Sequence, residues 1–229
     1  MGTPVDRFDG FGPQVVAFWH ELAADNTKAF FDAHRDTYEQ DIRLPLEQLL
    51  AEVAEEFGDG KVFRPNRDVR FSADKSPYKL HAGAVIGADP DAAGVVGAVY
   101  YLHVSGEGLF AASGYHEMSR AQVRRFYAAV DDDDAGPQVA ALVQAARSSG
   151  GTVGGSALKT APRGYPSDHP RVALLRHKGL TLSRSWPEYQ WLHTRAALRR
   201  VTGLWQDAAD LNAWLARHVG PDREEETYH

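Results

Sequence analysis

The sequence predicts an α+β protein in which helices from both ends of the chain pack on a mostly antiparallel central sheet. Apolar residues recur at helical spacing before about residue 58 and after about residue 118, whereas between these positions they alternate with a period of two. Short turn sequences join the alternating stretches, which favours hairpins over crossover connections. We therefore predict hairpins at about 67–87 and 98–115 within a single domain.

The first quarter of the chain is predicted to be helical. One helix, from about Pro13 to Ala23, has its apolar residues on one face. Asn26 is the expected cap of a short segment that reaches His34. A longer apolar stripe covers residues 38–57, and Pro45 within it is expected to kink or restart the helix.

The central sheet is predicted from four alternating stretches. They lie at about 68–71, 80–86, 98–104 and 109–115. Val69 and Phe71 define the first of them by alternating with charged residues. Residues 72–78 have the Ser, Asp and Pro expected of a turn, and Ser105–Gly108 is a tight hairpin turn.

The remainder of the chain is predicted to be mainly helical. Ser119 is the expected cap of the first of these helices, Ser167 or Asp168 caps a helix that reaches Arg176, and Pro187 begins a helix that ends near Val201. The other predicted elements are a helix at about 139–146, a loop or short strand at 150–155, an extended stretch at 180–183 and a final helix after Gly203.

Composition excludes several protein classes. The 229 residues are 43% hydrophobic and 24% charged, as in a globular domain, and they contain no cysteine, which rules out disulfide scaffolds and thiol nucleophiles. No apolar stretch is long enough to span a bilayer, and residues 1–11 do not resemble a secretory signal. We expect a cytoplasmic protein with one domain over residues 12–217 and tails at 1–11 and 218–229.

Charge is distributed unevenly along the chain. The net charge is −6, yet residues 61–81 contain six bases and two acids, and residues 159–200 contain nine bases and two acids. If these two blocks meet in space, their fields add and create a local anion site on an acidic protein.

The hairpin segment 67–79 carries the strongest candidate for a ligand site. Guanidinium groups bind oxyanions with paired hydrogen bonds, and lysine adds a point charge, so this segment suits phosphate, sulfate or carboxylate. Its predicted ligand-binding residues are Arg67, Asp68, Arg70, Lys75, Tyr78 and Lys79. The alternative is an internal network in which Asp68 and Asp74 neutralise Arg70 and Lys75 and lock the hairpin.

The second basic block would complete this site. Lys159 and Arg163, together with the N-terminus of the helix that follows them, are predicted to lie opposite the hairpin, with Lys178 and Arg184 at the edge of the pocket. The alternative is that residues 163–170, which contain Gly and two Pro, are a rigid loop leading into a helix.

The sequence predicts neither a bound cofactor nor a metal. The glycines at 150–155 lack the following Lys-Ser/Thr of a phosphate-binding loop. Among the histidines predicted on strands, His81 and His103 could share an ion with a carboxylate, although structural roles are the favoured interpretation. If Ser105 pairs with Gly108, His116 lies about 20 Å from His103 and cannot join them.

Several segments resemble the uncharacterised family known as domain of unknown function 2461. These segments are residues 67–79, 18–22, 100–103, 158–165 and 168–170, in the order of the family and across about residues 12–217. The resemblance implies a single mixed α and β domain found in bacteria and fungi. It carries over no catalytic residue, but it implies that Lys159, Arg163 and Gly164 belong to the same signature as the hairpin.

The leading hypothesis is therefore binding of a small phosphate- or carboxylate-bearing ligand in a basic pocket. If the protein is an enzyme, hydrolysis or transfer of a phosphorylated small molecule is the expected reaction class, with Asp68, Asp74 or His81 as acid-base groups. The alternative is a protein-interaction or scaffold module without chemistry. Nucleic acid is not the expected partner because the sequence pI is about 5.9, and the oligomeric state is left open.

Overall fold

The computed structural model describes residues 7–68, 70, 74–87 and 97–222. Within them, the strands are β1 Gly60–Val62, β2 His81–Ile86, β3 Val99–Ser105, β4 Gly108–Tyr115, β5 Thr152–Gly154 and β6 Leu180–Pro187. They form an antiparallel sheet in the order β1-β2-β3-β4-β6-β5. Together with the helices before and after the hairpins, this sheet confirms the α+β prediction.

Helices occupy both ends of the described chain. They are α1 Val15–Ala24, α2 Lys28–Ala33, α3 Arg35–Thr37, α4 Leu44–Phe57, α5 Arg120–Asp131, α6 Ala135–Ser148, α7 Val172–Leu175, α8 Ala196–Asp207 and α9 Ala209–His218. A π-helical turn precedes α4, whose first turn contains Pro45, so the predicted interruption is confirmed. Ser119 caps α5 as predicted, in a reciprocal capping box with Gln122.

The second predicted hairpin is confirmed almost residue for residue. β3 ends at Ser105 and β4 begins at Gly108, so Gly106 and Glu107 form the turn. Gly108 has a φ of +116°, and a Cβ at this position would lie 2.6 Å from the backbone nitrogen of Glu188. Only glycine fits both the conformation and the space.

The strand β1, which the sequence did not predict, pairs with β2 in the first hairpin region. β1 begins at Gly60 and pairs with β2 in the register Gly60↔Ile86, after which the ladder narrows to one bridge between Asn66 and Tyr78. Pro65 and Pro77 lie beside this bridge. The carbonyl oxygen of Pro65 accepts a hydrogen bond from the Lys79 amide, and that of Pro77 accepts one from the Arg67 amide. Because proline has no N–H to donate, the ladder cannot continue regularly there. The predicted strand residues Val69 and Phe71 lie outside the described residues.

Three predicted helix starts were wrong. Thr27, not Asn26, caps α2 by accepting the amide of Phe30. Residues 167 and 168 do not cap α7, which begins only at Val172 after Arg171. Pro187 ends β6 instead of beginning a helix, because Tyr189 is extended and a short 3-10 turn at 190–193 precedes α8. Proline suits the end of a strand as well as the start of a helix.

The chain divides into two compact units, each made of three separate stretches. The first unit contains residues 1–86, 101–111 and 185–203, and the second contains residues 87–100, 112–184 and 204–229. Each unit therefore combines parts of the chain that are distant in the sequence.

The core of the first unit is an aromatic cluster. Phe18 packs edge-on against Trp19 at 5.1 Å between ring centroids, and Phe31 lies 5.1 Å from Tyr38. These rings are at most 2% exposed. Such aromatic pairs each contribute about 0.5–1.5 kcal/mol beyond the area they bury.

Three buried side chains in the core of the second unit find hydrogen-bond acceptors within it. The Nε1–H of Trp205 donates to the carbonyl oxygen of Ala112, and that of Trp214 donates to the carbonyl oxygen of Ala135, each at 3.2 Å. Asn212, which is 7% exposed, donates to the Ser113 hydroxyl at 2.8 Å. These bonds remove most of the cost of burying polar atoms.

Both predicted tails, 1–11 and 218–229, include residues that are packed against the rest of the protein. Phe8 is fully buried, and its backbone is held by the carboxylate of Glu52 and the guanidinium of Arg195, each at 2.6 Å. At the other end, Val219 is buried and Asp222 accepts a hydrogen bond from Ser119. Packed structure therefore includes residues 8–11 and 218–222. Among the described residues, no helix has the length and apolarity required to cross a membrane.

Candidate functional site

The predicted hairpin site lies in the connection between β1 and β2, and two of its four cations pair with acids inside it. Arg67 forms an ion pair with Asp74, whose carboxylate also accepts hydrogen bonds from the side chain and amide of Ser76. The two Ser76 hydrogen bonds, followed by Arg67, lower the pKa of Asp74 to about 2.

Arg70 pairs with Asp68 in the same connection. Its Nε lies 3.0 Å from Asp68 Oδ1 and its Nη2 lies 2.7 Å from Oδ2, a forked geometry. The hydrogen bonds from Arg70 lower the pKa of Asp68. The internal network that the sequence analysis considered is thus present, but with Arg67 rather than Lys75 as the partner of Asp74. Lys75 itself is exposed.

Tyr78 serves the packing of the hairpin base. Its ring stacks on Phe31 at 4.1 Å and 8° between planes, and the residue is 6% exposed. The side chain of Asn26 bonds both the amide and the carbonyl of Tyr78, each at 3.1 Å. The base of the hairpin is therefore fixed to the loop between α1 and α2.

Lys79 differs from the other cations of this segment. Its Nζ donates to the carbonyl oxygen of Arg64 at 3.2 Å and lies 5.3 Å from the centre of the Phe63 ring. Within the described part of the chain, no carboxylate lies within ion-pair distance of it. Burial, followed by the positive charge of Arg64, lowers the pKa of Lys79. This ammonium group is half-buried and lacks a counter-ion among those residues.

The second predicted half of the site belongs to the second unit. Lys159 and Arg163 are exposed there. A common pocket of these residues with the hairpin stays a prediction. Lys178 contributes its backbone to pairing with Ser156, and Arg184 donates to the carbonyl oxygen of Gly150.

The loop at 163–170 has a structural task within that unit. Arg171, immediately after it, donates to the carbonyl oxygens of Val130 and Asp131 at the end of α5, at 2.6 and 2.8 Å. His169 Nε2 lies 3.1 Å from the carboxylate of Asp131. These groups satisfy a helix C-terminus whose carbonyls have no partners within the helix.

A cleft of about 390 Å³ in the first unit is lined in part by three histidines, His20, His81 and His103. Its walls come from α1, the start of β2 and the β3–β4 turn. The lining residues are Trp19, His20, Ala23, Leu80, His81, His103, Ser105, Gly106 and Glu107. The volume is in the range of sites for small molecules.

His81 and His103 are neighbours in this cleft. Their ring centroids lie 4.9 Å apart at an angle of 42°. They occupy adjacent strands, and each precedes a buried residue, Ala82 or Val104, on the opposite face of the sheet. His81 makes no hydrogen bond through its ring to any residue that the structure describes.

His103 is held by two aromatic neighbours. Its Nδ1 lies 3.2 Å from the hydroxyl of Tyr101, and its ring stacks on Phe110 at 4.9 Å and 15°. Its Nε2 has no hydrogen-bond partner among the described residues. Burial, followed by the neighbouring His81, lowers the pKa of His103 to about 4. The imidazole is therefore neutral at pH 7.

The groups around His81 and His103 are uncharged or positively charged, apart from the exposed carboxylate of Glu107. Burial, followed by the charge of Lys79, lowers the pKa of His81. Burial raises the pKa of the Tyr101 phenol to about 12, so that it stays protonated. At the rim, His20 Nε2 lies 3.1 Å from the carbonyl oxygen of Gly106, and Glu107 is exposed.

Trp19 adds a buried polar group to the wall of the cleft. The residue is 2% exposed, and its Nε1–H is buried with no hydrogen-bond partner in the described structure. Leaving such a group unpaired costs about 1–3 kcal/mol.

The structure gives no support to the metal site considered in the sequence analysis. Over residues 7–68, 70, 74–87 and 97–222, no group of three or more His, Cys, Asp or Glu side chains is arranged to hold a metal ion. His81 and His103 do approach each other, but without a third ligand of these types.

His81 and His103 could be identified from the sequence as strand histidines, whereas the cleft could not. The alternation of β2 and β3 was sufficient to place both rings on one sheet face. The contribution of α1, with Trp19 and His20, had no comparable signal, because it depends on how the helix packs.

Comparison with known proteins gives a family but no characterised relative. No curated protein and no solved structure matches the chain. A family model described as conserved hypothetical protein (DUF2461) matches residues 14–214, which include α1, the hairpin segment, the cleft and the 163–170 loop. The chain therefore belongs to the DUF2461 family of conserved hypothetical proteins.

Proposed function

We propose that this protein binds a small anionic ligand in the cleft of the first unit, beside Lys79, His81 and His103. The observation that carries the proposal is the Lys79 ammonium group, which is half-buried, acts electrostatically on the neighbouring His81 imidazole and has no carboxylate partner among the described residues. A positive charge in this position is stabilised by an anion from solution.

The imidazole pair supports the same conclusion. A neutral imidazole donates one N–H and accepts one hydrogen bond, and it gains a second donor when it is protonated. An anion between His81 and His103 would raise the pKa of both groups, because negative charge favours the protonated form. Affinity for the anion is therefore expected to increase as pH falls from 7 towards 5.

The ligand that fits this cleft is a small molecule with an apolar or aromatic part. Trp19, Ala23 and Leu80 contribute apolar lining, and Leu80 is 44% exposed. Ser105 and Glu107 add hydrogen-bonding groups to the lining. Sites of this kind combine an apolar wall with a few polar groups that fix orientation.

Only some of the predicted site residues are assigned to the ligand here. Lys79 is retained, whereas Arg67 and Arg70 bind acids of their own loop. Lys159 and Arg163 remain predicted contributors, and a cytoplasmic location also remains a prediction from composition.

The test is a thermal shift and calorimetric titration with phosphate, sulfate and acetate at pH 6 and pH 7.5. A ligand at a hundred times its Kd stabilises the folded state by about 2.7 kcal/mol. We expect Lys79→Gln and His81→Gln each to weaken binding about tenfold. Arg70→Gln is the matched control, since it removes a neighbouring cation that is paired with Asp68. Equal losses in the control and in Lys79→Gln would move the site back to the hairpin connection.

The scaffold alternative makes a different prediction. If exposed charge drives self-association or partner docking, the association should dissolve as ionic strength rises, because screening acts over about 10 Å at 0.1 M salt. Light scattering as a function of salt measures this directly. A protein that stays monomeric at low salt argues for the ligand-binding function.

A further inference from the structure

We propose that the cleft hydrolyses a small phosphodiester, with His103 as general base and His81 as general acid. This inference rests on the proposed anion-binding function and adds the substrate class and the reaction. It depends on the position of the two imidazoles, on the charge around them and on the apolar wall opposite.

The geometry allows both rings to contact one phosphoryl group. The ring centroids are 4.9 Å apart, and the rings project from neighbouring strands into the same cleft. Two oxygens of one tetrahedral phosphate can therefore each meet one ring nitrogen at hydrogen-bond distance. Neither His81 nor the Nε2 atom of His103 is used in another hydrogen bond within the described residues.

Tyr101 prepares His103 for the role of base. When the proton of His103 is on Nδ1 and points to the Tyr101 hydroxyl, 3.2 Å away, Nε2 has the lone pair and can accept a proton from water. The stack on Phe110 fixes the ring plane. Tyr101 is thus a positioning residue in this proposal, whereas His103 is a catalytic residue.

The surroundings separate the two imidazoles in proton affinity. His20 on α1 and Glu107 in the β3–β4 turn line the cleft together with the two imidazoles. Tyr101 contacts His103, the charge of Lys79 acts on His81, and Arg64 lies beside Lys79. Two rings this close do not both become protonated readily. His103 has the more strongly lowered pKa, so His81 takes the first proton once the anion is bound. One protonated and one neutral imidazole are the pair that acid-base catalysis needs.

The reaction balances without a further reactant. A water oxygen attacks phosphorus and gives its proton to His103 Nε2, while the bond from phosphorus to one ester oxygen breaks. His81 donates its proton to the departing oxygen, which leaves as an alcohol. The products are a phosphomonoester and that alcohol, and solvent returns a proton from His103 to His81.

Charge favours a diester over a monoester. A diester is a monoanion, and it gains about one further negative charge when water adds to phosphorus. Lys79 and the protonated His81 supply two positive charges, which match that transition state. The second ester substituent has a place against Trp19, Ala23 and Leu80. A dianionic monoester would need more positive charge than these described residues provide.

The test uses bis(p-nitrophenyl) phosphate as substrate, with p-nitrophenyl phosphate as the monoester comparison, in buffer containing EDTA. We expect p-nitrophenolate release from the diester with a bell-shaped pH profile, and at least tenfold slower release from the monoester. His103→Gln and His81→Gln should each reduce kcat roughly 100-fold or more. His116→Gln is the matched control, because His116 is exposed and lies in the second unit.

Folding and binding are measured on the same samples. Circular dichroism and Tm establish that each variant is folded, and Tyr101→Phe is a milder second variant that should shift the acidic limb of the profile while keeping the protein intact. Dimethyl phosphate, which lacks a good leaving group, reports binding alone. Dimethyl phosphate binding that depends on Lys79, without diester hydrolysis by the wild type, would refute the catalytic proposal and leave anion binding intact.

Three other results would also decide the matter. Absence of both binding and hydrolysis would overturn this inference together with the proposed function. Hydrolysis that persists in His103→Gln, or that the wild type shows only when EDTA is omitted, would show that the imidazole pair does not perform the chemistry as written.

Discussion

The side-chain amide of Asn26 pairs with the backbone of Tyr78 on both sides, donating to its carbonyl and accepting from its N–H at 3.1 Å each. It takes the place that a neighbouring strand would have beside the hairpin. Since Lys79 follows Tyr78 directly, this contact helps to set where the Lys79 ammonium group lies in the first unit.

Replacing Asn26 with Ala should destabilise the protein and weaken the site together. Both backbone groups of Tyr78 lose their partner in a half-buried position, so we expect about 2 kcal/mol lower free energy of unfolding, measured with urea. Asp25→Ala is the control, an exposed neighbour whose side chain makes no described contact. We also expect weaker phosphate binding in Asn26→Ala. Unchanged binding would mean that Asn26 does not position Lys79.

Stability should depend on pH through His103. Its pKa is about 4 in the folded protein, against 6.5 for an ordinary histidine. The unfolded chain therefore binds more protons between these values, so stability is full above about pH 6.5 and is lost as pH falls towards 4. Because the ring is partly exposed, we expect a loss of only about 2 kcal/mol.

Urea unfolding at pH 7, 6, 5 and 4.5 measures this dependence. His103→Phe should flatten the curve between pH 6.5 and 4.5, since a phenyl ring can keep the stack on Phe110 but cannot titrate. His116→Gln should leave the slope unchanged. An equal slope in the wild type and His103→Phe would assign the pH dependence to other groups. The carboxylates of Asp68 and Asp74, whose pKa values are lowered, titrate at lower pH.

Local sequence signals were sufficient for part of the fold. The Ser105–Gly108 turn predicted the β3–β4 hairpin, and Ser119 predicted the start of α5. Both depend on interactions within a few residues. The start of β1 was missed because the alternation of residues 68–71 was a stronger signal than the three-residue strand at Gly60–Val62.

The site was harder to predict for a physical reason. The sequence shows an excess of cations in residues 67–79, but it does not show which cation forms an ion pair with which acid. In the structure, Asp74 pairs with Arg67 and Asp68 pairs with Arg70, whereas Lys79 has no carboxylate partner among the described residues. Choosing among these pairings requires the path of the loop, which local propensity does not determine.

Gly106 is expected to control the width of the cleft. A Cβ at this position would come within 2.8 Å of His20 Nε2, so Gly106→Ala must displace the His20 ring from the rim. We expect several-fold weaker anion binding, measured by calorimetry, with little change in the fold because His20 is exposed. Gly97→Ala is the control, since nothing lies within 4 Å of a Cβ there. Unaltered affinity in Gly106→Ala would separate the rim from the binding site.

Arg171 should be a stability residue and not a ligand-binding one. Its guanidinium group donates to the carbonyl oxygens of Val130, Asp131 and Asp132 at the end of α5. Arg171→Ala removes the Arg171 hydrogen bonds of Val130 and Asp131, whereas Asp132 still accepts from the Gly136 amide. We expect a loss of about 2–3 kcal/mol in urea unfolding. Arg171→Lys should recover only part of the lost stability, because an ammonium group lacks the forked donors that reach separate carbonyl oxygens. Phosphate affinity of the folded Arg171→Ala protein should match the wild type. A large drop in affinity without a loss of stability would return the loop at 163–170 to the anion site.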